Sequence, residues 1–157
     1  MHSRTRLVLA KMRVMQDVTL HALRARRAEI FSRWEALLRA EPTTSPLGTP
    51  DALVYMLGQT FDELLTALAE PKRKLALKDH HCLCGCNPLL AYFRSAEQAL
   101  LEALVLIQAG RPQMTTRQRQ AELEELQRVV KTIGEQETSV ICSICQRCAG
   151  KRAGAAR

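Results

Sequence analysis

Apolar residues recur at steps of three and four positions along most of this chain, which is the spacing of one face of an α-helix. Four such stretches stand out, at about 14–40, 50–70, 88–108 and 116–144. Runs of β-branched residues, which are typical of strands, are almost absent. The pattern predicts an all-α fold, an antiparallel four-helix bundle with a cysteine-rich end and with room for a fifth short helix at the N-terminus.

Local signals place the ends of these helices. Thr49–Asp51 predicts a helix start, with a capping threonine, a proline at the first helical position and an acid in the first turn. Asn87 followed by Pro88 predicts a second start of the same kind. Pro71 and Gly110 predict helix ends, and Gly134 predicts a bend or a break in the last helix.

Charged residues in the last helix predict which of its faces meets water. Glu122, Glu124 and Glu125 balance Arg117, Arg119, Arg128 and Lys131 along this stretch. Opposite charges three or four positions apart form ion pairs on an exposed helix surface. We therefore expect all three glutamates to lie on a solvated outer face.

Length and composition fit one domain with its own core. The chain has 157 residues, of which 46% are apolar and only 4% aromatic. Leu and Ala dominate the apolar set, which favours helices. We divide the chain into a basic N-terminal extension (1–13), a helical bundle domain (14–148) and a disordered basic tail (149–157).

The net charge of +7 permits an acidic partner, a nucleic acid or an anionic membrane surface, and it does not choose among them. No apolar run approaches the roughly 18–20 residues of a membrane span. Leu7–Leu9 is too short for the apolar core of a secretory signal. We therefore expect a cytoplasmic protein without a membrane span, in a compartment that keeps thiols reduced.

All six cysteines fall into two short clusters, and this is the strongest chemical signal in the chain. The first cluster lies in His80–Pro88 and the second in Cys142–Cys148. In a reducing compartment, clustered cysteines favour metal or redox chemistry over structural disulfides.

The predicted helices bring the two clusters together. The third helix starts just after the first cluster and runs for about 20 residues, roughly 30 Å. If the fourth helix returns antiparallel from position 116, about 20 residues bring it level with the start of the third helix, near position 136. The second cluster then lies at the same end of the bundle as the first.

The spacing within each cluster suits a metal ion bound by thiolates, for which zinc is the favoured metal. Cys142 and Cys145 are three positions apart and project on one face of a helix. The cysteines of the first cluster alternate, so an extended segment points them to one side. The candidate metal ligands are Cys82, Cys84, Cys86, Cys142, Cys145, Cys148 and His81.

Which four ligands bind one metal stays open, and so do a second metal and an iron–sulfur cluster. The spacings match no common zinc finger or iron–sulfur motif closely. Either Cys-x-x-Cys pair can form a thiol–disulfide switch, although the strand expected before such a redox motif is missing. A zinc ion with four thiolate ligands is closed and structural rather than catalytic.

Leu23–Glu35 predicts a basic helix with Trp34 near its end, and a further helix follows at Pro50–Leu68. These two helices resemble the first helices of a known type of domain. It is the N-terminal helical domain of RsbR-type co-antagonists, particularly the RsbRD-like set. The resemblance implies a small helical sensory module that belongs to phosphorylation-controlled partner switching. This chain departs from that pattern because no second domain follows and the cysteine clusters are extra.

No catalytic set is visible, since the chain lacks a phosphate-binding glycine loop, a Ser/His/Asp arrangement and an inward pair of carboxylates. We therefore expect a regulatory or sensor domain with a protein partner, rather than an enzyme. A homo-oligomer is compatible with this prediction. The alternatives are an iron–sulfur or thiol-redox protein and a basic nucleic-acid-binding module, whose affinity falls steeply with salt.

Overall fold

The computed structural model describes residues 14–42, 48–70 and 87–144. Throughout these ranges the regular structure is helical and no strand is present, which confirms the all-α class. The predicted extension at 1–13 and the predicted tail at 149–157 lie outside the described residues. In the described ranges, no helix has the length and apolar character that crossing a membrane requires.

The helices succeed one another with short connections where the chain is described. In chain order they are α1 (Asp17–Ala25), α2 (Arg27–Ala40), α3 (Pro50–Leu53), a 3₁₀ turn (Val54–Met56), α4 (Leu57–Ala69), α5 (Pro88–Ala109) and α6 (Thr116–Ile144).

The first predicted helix is divided in two, because the backbone leaves helical geometry at Arg26, with φ −94° and ψ 13°. The Arg26 amide bonds to the carbonyls of both Ala22 and Leu23, at 3.2 and 3.1 Å. Leu23 before the turn and Ile30 after it are both buried. The apolar spacing runs through the interruption unchanged, so it could not reveal the break.

The predicted start at Thr49–Asp51 is correct in position and wrong in one detail. Helix α3 begins at Pro50, but the Thr49 side chain makes no capping hydrogen bond. The 3₁₀ turn Val54–Met56 then separates α3 from α4. Its Tyr55 is 90% exposed.

Helix α6 is continuous through Gly134, so the predicted break is absent. Gly134 is buried, and a Cβ atom placed on it would lie 3.0 Å from Cγ of Phe93 in α5. The glycine therefore lets the two helix backbones approach closely. Val140, an apolar residue late in the same helix, is 61% exposed.

Trp34 and Tyr92, both fully buried, connect three helices in the core. The Trp34 indole Nε1 donates to the carbonyl of Tyr92 at 3.1 Å, and the two rings lie 4.9 Å apart. The Tyr92 hydroxyl donates to the hydroxyl of Thr60 in α4 at 2.9 Å. Burial raises the pKa of Tyr92 to about 12 because the phenolate would be removed from water.

An exposed ion pair joins α2 to α5 on the outside of the same contact. Arg33 donates two hydrogen bonds to the carboxylate of Glu102, at 2.7 and 2.9 Å. These bonds, with a further one from Gln98, lower the pKa of Glu102 to about 2. The pair is open to water, so its contribution to stability is small.

Candidate metal centre

The start of α5 is defined by Asn87, which caps the helix as the sequence predicts. Its side-chain oxygen accepts a hydrogen bond from the Leu89 backbone N–H at 3.0 Å. Pro88 occupies the first helical position, where its missing N–H leaves no donor unsatisfied. The cap fixes the Asn87 side chain at the end of α5 that adjoins the first cysteine cluster in sequence.

The amide nitrogen of the same side chain reaches across to α6. Nδ2 of Asn87 donates to the carbonyl of Thr138 at 3.1 Å and to Sγ of Cys142 at 3.4 Å. Asn87 is 4% exposed and Cys142 is 2% exposed, so the bond to Cys142 is buried, whereas the bond to Thr138 is part-buried. One buried side chain therefore links the first turn of α5 to the last turns of α6.

Helices α5 and α6 run antiparallel, as contacts at both ends of the pair show. Asn87 at the start of α5 meets Thr138 and Cys142 late in α6. Gln108 at the end of α5 donates to the carboxylate of Glu122 early in α6, at 3.3 Å. The late part of α6 thus returns to the start of α5, close to the level that the predicted helix lengths placed near position 136.

Of the seven predicted ligands, only Cys142 belongs to the described residues. The other six lie outside them: Cys82, Cys84, Cys86, Cys145, Cys148 and His81. Within the ranges that the structure describes, no group of three or more His, Cys, Asp or Glu side chains is arranged to hold a metal ion. Ligation by the two clusters therefore stays a prediction.

Sequence reasoning identified Asn87 as a cap but did not identify it as a neighbour of Cys142. The sequence does carry a signal for that contact. Asn87 directly follows Cys86, and the antiparallel register puts the start of α5 beside the end of α6. The register alone does not say which residue of α6 faces Asn87. That depends on how α6 is rotated about its own axis, and the sequence does not define this rotation.

At the opposite end of the α5–α6 pair lies a buried carboxylate. Glu122 is 1% exposed, so its predicted position on a solvated face is wrong. Its Oε1 accepts from the Thr19 hydroxyl at 2.8 Å and from the Gln16 backbone N–H at 3.2 Å. Its Oε2 accepts from Gln108. These donors compensate the loss of water around the carboxylate, and they fix the start of α1 against α6.

Two arginines complete this polar cluster around the connection between α5 and α6. Arg111 donates to the Thr19 hydroxyl at 2.7 Å and to Oε1 of Gln16 at 2.6 Å. Arg119 donates to the carbonyls of Gln108 and Arg111 at 2.6 and 2.8 Å, which satisfies acceptors at the C-terminal end of α5. Glu125, in contrast, forms the predicted helical ion pair with Arg128.

A groove of about 590 Å³ runs along the outside of the α5–α6 contact. Its apolar wall includes Leu89, Leu90, Phe93 and Val130, and charged side chains line its rim. Thr138 lines the groove where it approaches the bonds that Asn87 makes. The groove and the candidate metal centre therefore share the first turn of α5.

Comparisons of this chain with protein-family models, with curated proteins and with solved structures found no significant match.

Proposed function

We propose that this chain is a small helical regulatory or sensor domain in which the two cysteine clusters bind one metal ion, with zinc as the preferred metal. The metal joins the segment before α5 to the end of α6. The helices form an antiparallel four-helix bundle, and the clusters make up its cysteine-rich end. The domain passes its signal to a protein partner and does not convert a substrate.

The observation that carries the proposal is the contact between Asn87 and Cys142, at 3.4 Å from Nδ2 to Sγ. Asn87 is the residue after Cys86 in the chain, so it belongs to the same short stretch as the first cluster. Cys142 is the first residue of the second cluster. The contact therefore supports a shared site, because it brings one residue of each stretch together without distorting either helix.

The chemistry of the donors supports zinc. Thiolate sulfur is a soft ligand, and structural zinc sites take four Cys or His ligands in a tetrahedron. Six cysteines and the neighbouring histidines supply more than one complete set. A site of four thiolates leaves no open position for a substrate, so the metal has a structural and regulatory role.

The signal follows from what such a site holds together. While the metal is bound, it cross-links the segment before α5 to the end of α6. Oxidation of the thiols or loss of the metal releases the C-terminal segment that begins with the second cluster. The resemblance of Leu23–Glu35 to RsbR-type helical modules supports a regulatory role and implies a partner protein as the receiver.

The test is the metal content of the full chain, purified without oxygen, measured by elemental analysis with an absorption spectrum. We expect about one zinc per chain and no visible absorption band. Cys142→Ala and Cys145→Ser should each lose most of the zinc. Ser139→Ala is the matched control, since Ser139 is buried one turn earlier on α6 and its hydroxyl donates to the carbonyl of Gln136 in the same helix.

Each other outcome has a definite meaning. If the protein contains iron and sulfide and shows a broad visible absorption band, the bound group is an iron–sulfur cluster and not zinc. A chain that binds no metal and forms a disulfide between the clusters would establish a thiol switch instead. Full zinc content in both cysteine variants would contradict a site shared by the two clusters.

A further inference from the structure

We propose that Asn87 is a positioning residue for this metal site, holding Cys142 for the metal and coupling metal binding to the packing of α5 on α6. This inference rests on the proposed function, because it assigns a role to Asn87 only if Cys142 is a ligand. Asn87 does not contact the metal in this proposal. It acts through the cysteine sulfur.

The first argument is the number of bonds that one side chain makes. Asn87 Oδ1 accepts from Leu89 N–H, while Nδ2 donates both to the Thr138 carbonyl and to Cys142 Sγ. Both hydrogens of the amide are therefore used, and the side chain is buried. This geometry leaves the side chain a single orientation, with its nitrogen directed at α6.

The second argument is that capping alone does not require asparagine. Serine, aspartate and asparagine are about equally good at the residue before a helix. Of these three, only asparagine also carries an –NH₂ group with two hydrogens to donate across to α6. The bonds to Thr138 and Cys142 therefore account for asparagine at position 87, because capping alone does not need its –NH₂ group.

The third argument concerns what an N–H donor does for a thiolate ligand. A hydrogen bond to the sulfur stabilises its negative charge and fixes the direction of its remaining lone pairs. Groups of this kind, which touch a ligand but not the metal, orient the ligand and tune the affinity of the site. The Asn87 amide occupies that position relative to Cys142.

The fourth argument is the position of the second bond. The Thr138 carbonyl belongs to the same turn of α6 as Cys142, four residues before it. Asn87 therefore holds both ends of one helical turn, and Leu89, whose backbone N–H it caps, lines the same groove as Thr138. Metal binding at Cys142 stabilises this turn, and through Asn87 it stabilises the first turn of α5.

The experiment compares three variants of the full chain in reducing buffer. Asn87→Ser keeps a capping oxygen and loses the amide donor. Asn87→Asp keeps the size and the cap but places a carboxylate against the sulfur. Thr60→Val is the matched control, because it removes the buried bond to the Tyr92 hydroxyl without touching Cys142.

Zinc affinity is measured by competition with a coloured chelator, and metal-free stability by thermal unfolding followed by circular dichroism. We expect zinc affinity about 10- to 100-fold weaker in Asn87→Ser, the usual effect of removing such a group. Asn87→Asp should be weaker still, although its cap is retained. Thr60→Val should lower the melting temperature and leave zinc affinity unchanged.

The outcomes separate the two proposals. If the wild-type chain binds no zinc, the proposed function fails and the role of Asn87 fails with it. If the wild type binds zinc and both Asn87 variants bind it equally well, only the role of Asn87 is overturned. Zinc affinities that follow the melting temperatures of all three variants would also overturn it, because they would indicate a general effect of stability.

A second measurement needs no variant and decides the matter if the Asn87 variants fail to fold. In isotope-labelled wild-type protein, the side-chain amide resonances of Asn87 are followed by NMR during a zinc titration. We expect them to shift and to reach their final position at one zinc per chain. Resonances that stay in place while zinc binds would overturn the role assigned to Asn87.

Discussion

The two ends of the α5–α6 pair are closed by different means. At one end, the Glu122 carboxylate accepts hydrogen bonds from Gln16 just before α1, from Thr19 in α1 and from Gln108 in α5. At the other end, the Asn87 side chain bonds across from α5 to α6, and one of its partners is a cysteine. The first end is complete without a ligand. The second leads directly into both cysteine clusters.

Under the proposed function, this difference separates stability from regulation along one helix pair. A buried carboxylate whose oxygens all have donors makes its end of the helix pair rigid. An end that depends on thiol chemistry closes or opens with the metal or with oxidation. A chain that signals by releasing one end needs the other end to stay intact.

The largest expected effect is at the permanent end. Glu122→Ala leaves the Thr19 hydroxyl and the Gln16 backbone N–H without this acceptor and removes one of the two acceptors of the Gln108 amide. We expect a loss of about 2 to 4 kcal/mol in the free energy of unfolding. Chemical denaturation followed by circular dichroism measures it. Glu124→Ala is the control, since Glu124 is exposed and its carboxylate accepts from Gln120 on the same helix. If both variants lost the same free energy of unfolding, the buried hydrogen bonds of Glu122 would not be what stabilises this end.

The next effect tests the other end. At a free zinc concentration about 100 times the dissociation constant, we expect zinc to stabilise the wild-type chain by about 2.7 kcal/mol. The gain should disappear in Cys142→Ala and persist in Glu122→Ala, because Glu122 lies at the opposite end of the pair. A zinc-dependent gain that is lost in both variants would mean that the two ends are not independent.

Alkaline pH tests the core beside the Asn87 end. Since burial raises the pKa of Tyr92 to about 12, the neutral phenol is favoured in the folded chain. The contribution is therefore fully present below the ordinary tyrosine pKa and is lost as pH rises from about 10 to 12. Over that interval we expect a loss of about 2 to 3 kcal/mol, at 1.36 kcal/mol per pKa unit.

Tyr92→Phe provides the comparison for this pH dependence. It removes the ionisable group and the bond to Thr60 but keeps the ring against Trp34. Its unfolding free energy should fall less steeply than that of the wild type over the same pH interval. Identical slopes for the two proteins would assign the alkaline transition to other groups, such as the cysteines.

The smallest effect concerns the close approach of the two helices between their ends. Gly134→Ala would place a methyl group 3.0 Å from Cγ of Phe93, an atom close to the α5 backbone that cannot move aside easily. The strain opposes the higher helix propensity of alanine, and we expect a net loss of about 1 kcal/mol. Gly110→Ala is the control, since its Cβ would meet its nearest neighbour at an ordinary 3.6 Å. A more stable Gly134→Ala variant would show that the contact is loose.

Much of the helical architecture could be predicted from the sequence because capping and apolar spacing are local. The Asn87–Pro88 start of α5 and the Pro50 start of α3 lie where those signals place them. The interruption at Arg26 and the continuity through Gly134 could not be predicted. Both depend on which neighbouring helix each segment packs against, and periodicity contains no information about neighbours.

The candidate site divides in the same way. The sequence by itself determined that six thiols stand in two clusters beside α5 and α6, because cysteine spacing is a property of the chain alone. Only the tertiary structure decided that Asn87 turns its amide to Cys142 and that Glu122 is buried rather than solvated. Both facts depend on the rotation of α6 against its neighbours, which is set by the packing of many side chains at once and by no single local signal.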